Sequence, residues 1–138
     1  MFKMFNSSNS IKEKEDFFNK FYGKIDGYEV SWKAKNDYHD QDALKDILYG
    51  ETPFNTFYKI LNSDIIKDYI KNAEVYYDLG SGTGRTVIAS YLIKKFRKSV
   101  GIELLDGLYD KSQEILKEIA KEDPEIKKLQ LHKESNDK

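Results

Sequence analysis

Residues 76–85 read YYDLGSGTGR. An apolar run ends in Asp78, and Gly80, Gly82 and Gly84 follow at alternate positions. The run AEVYYDL, residues 73–79, predicts a strand through Val75, Tyr76, Tyr77 and Leu79. After the glycines, RTVIASYLIKKF (residues 85–96) predicts a helix whose apolar face uses Val87, Ile88, Tyr91 and Leu92. A strand running into a glycine-rich turn and then a helix is a nucleotide-binding layout. Glycines let the backbone turn sharply and let a ligand approach the main chain, and the first amides of the next helix face that ligand. A phosphate-binding loop requires Lys and then Ser or Thr after its last glycine. Here Arg85 and Thr86 follow Gly84 with different preceding spacing. A dinucleotide fingerprint starting at Gly80 requires glycine at position 85, which is Arg85. The pattern is instead G-x-G-x-G, with an aspartate two residues before its first glycine.

The alternation continues downstream. KSVGIEL (residues 98–104) predicts a second strand, Ser99 to Leu104. LDGLYDKSQEILKEIAKED (residues 105–123) predicts an amphipathic helix, with Leu108, Ser112, Ile115, Leu116 and Ile119 on one face and Pro124 ending it. KKLQLHK (residues 127–133) predicts a third strand. Such alternation implies right-handed crossovers and a parallel sheet. Upstream the pattern is different. Ile11 to Lys24 predicts a helix with a Phe17, Phe18, Phe21, Tyr22 stripe suited to core or interdomain packing, ended by Gly23. Asp26-Gly27 reads as a turn, followed by an extended piece through Trp32 and then a polar loop over KAKNDYHDQD (residues 33–42). Thr52 and Pro53 read as N-cap and first position of a helix carrying Phe54, Phe57, Tyr58 and Leu61. Asn62-Ser63 reads as the cap of another helix, Asp64 to Lys71, burying Ile65, Ile66, Tyr69 and Ile70. The start, residues 1–10, reads as polar and frayed.

Composition narrows the classes. The chain has 138 residues, 39% hydrophobic and 34% charged, which suits one small domain with a modest core. No apolar run approaches the roughly 18 residues of a membrane span, and the first ten residues lack the apolar region of a signal peptide. With no cysteine there is neither a disulfide nor a cysteine-ligated zinc, which fits an intracellular setting. The net charge of −1 has both signs interspersed and gives no strong nucleic-acid signal. Lys94, Lys95, Arg97 and Lys98 read as a solvated helix end, and His39 and His132 as surface residues without metal-ligand spacing.

The acids now select a ligand. Glu103 lies nineteen residues past Gly84, at the carboxyl edge of the second predicted strand. An acid there can accept both hydroxyls of a ribose. Asp78 can face a cationic group. A ligand with a ribose, a cationic end and no phosphate fits, and S-adenosyl-L-methionine is one. DLGSGTG (residues 78–84) followed by VGIE (residues 100–103) resembles motif I and the acidic motif of class I S-adenosyl-L-methionine-dependent methyltransferases. Together with YGETPF (residues 49–54), the pair resembles the disruptor-of-telomeric-silencing family of non-SET histone lysine methyltransferases over about residues 38 to 112.

That resemblance implies an incomplete α/β, Rossmann-like class I methyltransferase fold with a helical N-terminal extension. The expected divisions are an extension at residues 1–37, a loop and helices at 38–73, and the N-terminal half of the cofactor-binding domain at 74–138. It also implies cofactor contacts from Tyr49, Gly50, Glu51 and Thr52, from Tyr77, Asp78, Leu79, Gly80, Ser81, Gly82, Thr83, Gly84 and Arg85, and from Glu103. No catalytic residue and no metal are assigned. Tyr38, Tyr49 and Phe54 are candidates for an aromatic wall around a lysine stem and a cationic centre. The implied partner is a histone or another protein lysine, with a nucleosome among the candidates, and the implied place is the nucleus, or the cytoplasm for a non-histone substrate.

The family's acid after the third strand and its Asn-Phe-rich motif after the fourth are not recognisable, and Asp137 is not assigned to the first role. The expectation is therefore an N-terminal part of an enzyme that binds the cofactor weakly and is inactive alone. The alternatives are a methyltransferase of the same fold with a non-histone substrate, a non-catalytic module that keeps the pocket or uses an open sheet edge, and, more distantly, an NAD-binding module.

Overall fold

The computed structural model describes residues 9–94 and 96–134; residues 1–8, Lys95 and Asp137 lie outside the described residues. Helix α1 (Ile11–Tyr22) starts at a reciprocal cap. Ser10 Oγ accepts from Glu13 N at 3.1 Å, and Glu13 Oε1 accepts from Ser10 N at 3.2 Å. The Asn9 amide also donates to Glu13, at 3.0 Å, so residues 9 and 10 are engaged in the cap and not frayed. At the other end the Gly23 amide closes on Asn19 O.

Asp26-Gly27 is not a turn into extended chain. It opens helix α2 (Gly27–Asp37), with the Asp26 side chain accepting from Glu29 N at 3.1 Å. The buried face of α2 is Gly27, Ser31 and Ala34, while Tyr28 and Trp32 are exposed. Small residues face inward because α2 crosses the later helix at close range: a Cβ on Gly107 would stand 2.9 Å from Ala34 Cβ. Residues 33–37, expected to begin a polar loop, are the last part of α2; turns follow at residues 41–46, and the Lys35 ammonium donates to Ile47 O at 2.8 Å.

Helix α3 (Phe54–Leu61) begins one residue later than expected, with Pro53 at the N-cap and no side-chain cap from Thr52. It buries Phe54, Phe57 and Leu61. The next helix shrinks to α4 (Lys67–Ile70), which buries nothing fully; Ile65 is 76% exposed and Tyr69 82%. Those apolar residues were expected inside, but exposed apolar side chains are ordinary and carry no burial rule of their own.

From there the expected alternation is found: β1 (Val75–Leu79), α5 (Arg85–Lys94), β2 (Lys98–Glu103), α6 (Asp106–Glu122), a 3₁₀ turn (Pro124–Lys128) and β3 (Gln130–Lys133). The strands form a parallel sheet in the order β1-β2-β3, with Asp78 opposite Gly101 and Gly101 opposite Leu131. Successive right-handed crossovers in one direction place α5 and α6 on the same face. There they build the core with α1 and α3, around Phe18, Tyr22, Phe57, Ile88, Leu92, Ile119 and Leu131. Helix α5 is buried along Val87–Leu92, so both its sides are covered. The opposite sheet face leaves Tyr77 and Leu79 exposed at 57% and 78%. In the basic run, the Lys94 ammonium is buried 5.0 Å from the Phe96 ring centroid and is not solvated, while Arg97 pairs with Glu74 at 3.3 Å.

Burial separates two substitutions that look alike in sequence. Leu92→Ala, at a fully buried site, should lower unfolding free energy by about 2–5 kcal/mol in urea denaturation. Ile65→Ala should change it by no more than about 0.5 kcal/mol.

Candidate functional site

The sheet delivers the glycine loop to the carboxyl ends of its strands. Gly80, Gly82 and Gly84 have φ of 81°, 58° and 88°. The left-handed region costs other residues about 1–2 kcal/mol each, so this loop path selects glycine. The Gly80 and Ser81 amides both donate to Ile102 O, at 2.8 and 3.0 Å, and tie the loop to β2. A Cβ on Gly80 would meet nothing within 4 Å, so the backbone there is open to a ligand. Gly101 is needed one strand over, because a Cβ there would stand 2.8 Å from the Ser81 side chain.

Glu103 is the second anchor. Its Oε2 accepts from Gly82 N at 2.6 Å, and its Oε1 accepts from Leu104 N and Leu105 N, each at 3.0 Å. The residue is 7% exposed. A buried carboxylate is held by such charge-assisted bonds. One side chain therefore joins the middle of the loop to the start of α6. Asp78, at the penultimate position of β1, accepts from the Thr86 hydroxyl on the first turn of α5.

Tyr49–Thr52 closes over the loop as a strap. The Tyr49 ring lies against Gly82, where a Cβ would come 3.1 Å from Cε2. Its hydroxyl donates to Glu51 Oε1 at 2.9 Å. Burial pushes this phenol above its ordinary range, and the Glu51 hydrogen bond adds to the shift, so the hydroxyl stays a donor at neutral pH. Tyr28 meets the Tyr49 ring edge-on at 5.2 Å. At Gly27 a Cβ would fall 1.8 Å from Glu51 Oε1, so the start of α2 reaches the strap only as glycine. Glu51 Oε2 in turn is 3.5 Å from Arg85 Nε, with both side chains 18% exposed. The Arg85 guanidinium also donates to Tyr22 O at 3.3 Å and lies 5.0 Å from the Tyr22 ring centroid.

Together the strap, Asp78, Gly80–Thr83, Arg85 and Thr86 line a cavity of about 140 Å³. Four predicted residues do not join it through their side chains or through the cavity wall. Tyr77 and Leu79 alternate to the opposite, exposed sheet face. Gly84 packs beneath, toward Tyr22 and Ser112. Glu103 lies behind Gly82 and not on the cavity wall. A larger cavity of about 670 Å³ opens at the ends of β2 and β3, lined by Tyr38, His39, Leu104, Asp106, Asp110, Lys133 and Glu134 among others. Of the aromatic candidates, Tyr49 lines the small cavity and Tyr38 the large one. Phe54 is 3% exposed and packs on Phe18 in the core, so it is no wall of either.

Thr86 and Tyr22 are site neighbours that pattern reading passes over, because each counts there only as part of a helix. Among the described residues no group of three His, Cys, Asp or Glu is arranged to hold a metal. No described helix is long and apolar enough to cross a membrane.

The family model described as Histone methylation protein DOT1 matches residues 28–123, which spans the strap, the glycine loop and Glu103. The chain belongs to this family of methyltransferases, and its mixed α/β fold with a three-strand parallel sheet is consistent with the class I methyltransferase fold. No curated protein matches the chain.

Two substitutions check the anchors. Glu103→Gln turns an amide NH₂ toward backbone donors on one side and should lower unfolding free energy by about 1–3 kcal/mol. Gly82→Ala should lower it by about 1–2 kcal/mol through the left-handed backbone alone, and by more if Tyr49 cannot shift. Both are read by denaturant titration.

Proposed function

We propose that this chain carries the cofactor site of an S-adenosyl-L-methionine-dependent lysine methyltransferase, with a histone as the substrate class and the nucleus as its place. The observation that carries this is the left-handed glycine loop held between Asp78 and Glu103 under the Tyr49–Thr52 strap. In this reading residues 38–73 supply the strap, and residues 74–138 supply the loop and both acids.

The residues present fit such a ligand. Gly80 leaves bare main chain facing open space. Arg85 Nε is buried without a hydrogen bond and faces Glu51 at 3.5 Å, so a ligand carboxylate would compete with Glu51 for this donor. Asp78 and Glu51 offer carboxylates to an ammonium, and the Tyr49 face suits a neighbouring cation. Glu103 offers its remaining acceptor capacity, or exchanges its Gly82 bond, for ribose hydroxyls. The small cavity is below the 300–1,000 Å³ or so usual for a whole small-molecule site. It suits the amino-acid end, and the nucleoside would extend past Glu103 toward Leu104 and the larger cavity. The cofactor supplies a methyl group activated by a sulfonium charge. The protein's share is to hold the donor in line with a deprotonated amine and to exclude water. Turnover by this chain alone is expected to be undetectable, since β1 stands at an open edge of the described sheet and the described residues assign no lysine channel.

A non-histone protein substrate is the second reading, favoured by the near-neutral net charge of −1, which offers no evident grip on nucleic acid.

Calorimetric titration separates these ligands. S-adenosyl-L-methionine should bind the folded chain and NAD should not, and Asp78→Ala and Glu103→Ala should each weaken binding by at least about tenfold. Preference for NAD, or binding indifferent to both substitutions, would contradict the assignment.

A further inference from the structure

Helix α1 lies upstream of the family-matched segment, which begins at residue 28. It nevertheless touches the glycine loop directly. Tyr22, 1% exposed, donates its hydroxyl to Thr83 O at 2.8 Å. That carbonyl belongs to the residue between the two last glycines, and Thr83 is itself 1% exposed. A Cβ on Gly84 would stand 3.3 Å from the same hydroxyl, so loop and phenol are in direct contact. The main-chain carbonyl and ring of Tyr22 also hold Arg85, and Phe18, one turn earlier in α1, lies 5.9 Å from its guanidinium. Phe18 and Tyr22 stack at 4.6 Å, which holds the phenol in place from within α1.

These contacts have an electrostatic consequence. Arg85 is confined on one side by the Tyr22 ring and carbonyl, and its Nε is turned to Glu51 across the cavity. Without the hydroxyl, the Thr83 carbonyl loses its side-chain donor in a buried place, and the peptide between Thr83 and Gly84 is left to the Gly84 amide's 2.8 Å bond to Ser81 O. Both glycines flanking Thr83 have the conformational range to let that peptide rotate.

We propose that Tyr22 is a positioning residue of the cofactor site: its hydroxyl fixes the Thr83 carbonyl, and with it the turn that leads into Arg85, making α1 a working part of the site. This rests on the cofactor assignment made above. Its reach is greater than core packing, because a packing role would set the stability of the fold and leave the affinity of the folded protein unchanged.

The test compares Tyr22→Phe with Tyr91→Phe, by titration with S-adenosyl-L-methionine and by thermal unfolding. Tyr91 also loses a buried hydroxyl, which donates to Asp123 Oδ2 at 3.2 Å away from the loop. Tyr22→Phe should weaken binding by about tenfold while the chain remains folded, and Tyr91→Phe should lower stability while changing affinity less than about twofold. Equal affinity for Tyr22→Phe and the parent chain would overturn the positioning role and leave the cofactor assignment standing. Absence of binding by the parent chain would overturn the cofactor assignment and this role with it. Hydrogen exchange on the parent chain gives a check free of any folding defect. Ligand should slow exchange at Asn19–Gly23 in step with Gly82–Arg85, and protection of the loop without α1 would contradict the coupling.

Discussion

The carboxylate of Glu103 is the constraint on which the site depends. It accepts one amide from the glycine loop and two from the chain entering α6, and so joins these two segments to the end of β2 through one buried carboxylate. Hydrogen bonds from backbone amides stabilise a buried carboxylate that would otherwise be costly to remove from water. The loop can then follow its left-handed path without support from a ligand. Gly101 beside it leaves the room that the Ser81 side chain occupies. Sequence, strand register and site are linked at this point: Asp78 opposite Gly101 on one pair, and Glu103 at the end of the other.

The strap adds a second layer with a different character. Its parts are joined by a hydrogen bond from Tyr49 to Glu51, an ion pair between Glu51 and Arg85, and a hydrogen bond from Arg85 to the Tyr22 carbonyl. The Glu51–Arg85 ion pair is partly shielded from water, so solvent and salt screen it less than an exposed surface pair, whose value is about 0–1 kcal/mol. The same shielding makes the groups available for exchange with a ligand of complementary charge. A zwitterionic amino-acid end presents that complement, which is why the proposed cofactor suits this cavity better than an uncharged nucleoside would.

The sheet half of the fold was legible because its signals agree. Val75–Leu79, the glycines and the apolar face of residues 87–92 all favour one layout, and the strand-helix alternation repeats it. Glu103 could be placed at the strand end by spacing, though its grip on Gly82 could not be read from spacing. The first half was less legible. Helix α2 hides its periodicity because Gly27, Ser31 and Ala34 form its inner face and its aromatics point outward. Asp26-Gly27 resembles a turn locally, yet Asp26 is a helix cap and Gly27 gives way to Glu51 and Tyr49. Residues 64–70 mislead in the other direction: Ile65 and Tyr69 lie in solvent, while Ile70 packs against the core. Tyr22 reads as core, which it is, but its hydroxyl bond to Thr83 O spans 61 positions and leaves no local signature.

The central claim is that the loop, the strap and the end of β2 form one adenosyl site. Amide chemical-shift mapping by NMR with S-adenosylhomocysteine, the demethylated product form, tests it most directly. The account predicts that the largest shifts fall together on Gly80–Arg85, Tyr49–Thr52 and Glu103–Leu105. Shifts absent from these three segments, or confined to the outer faces of α2 and α6, would contradict it.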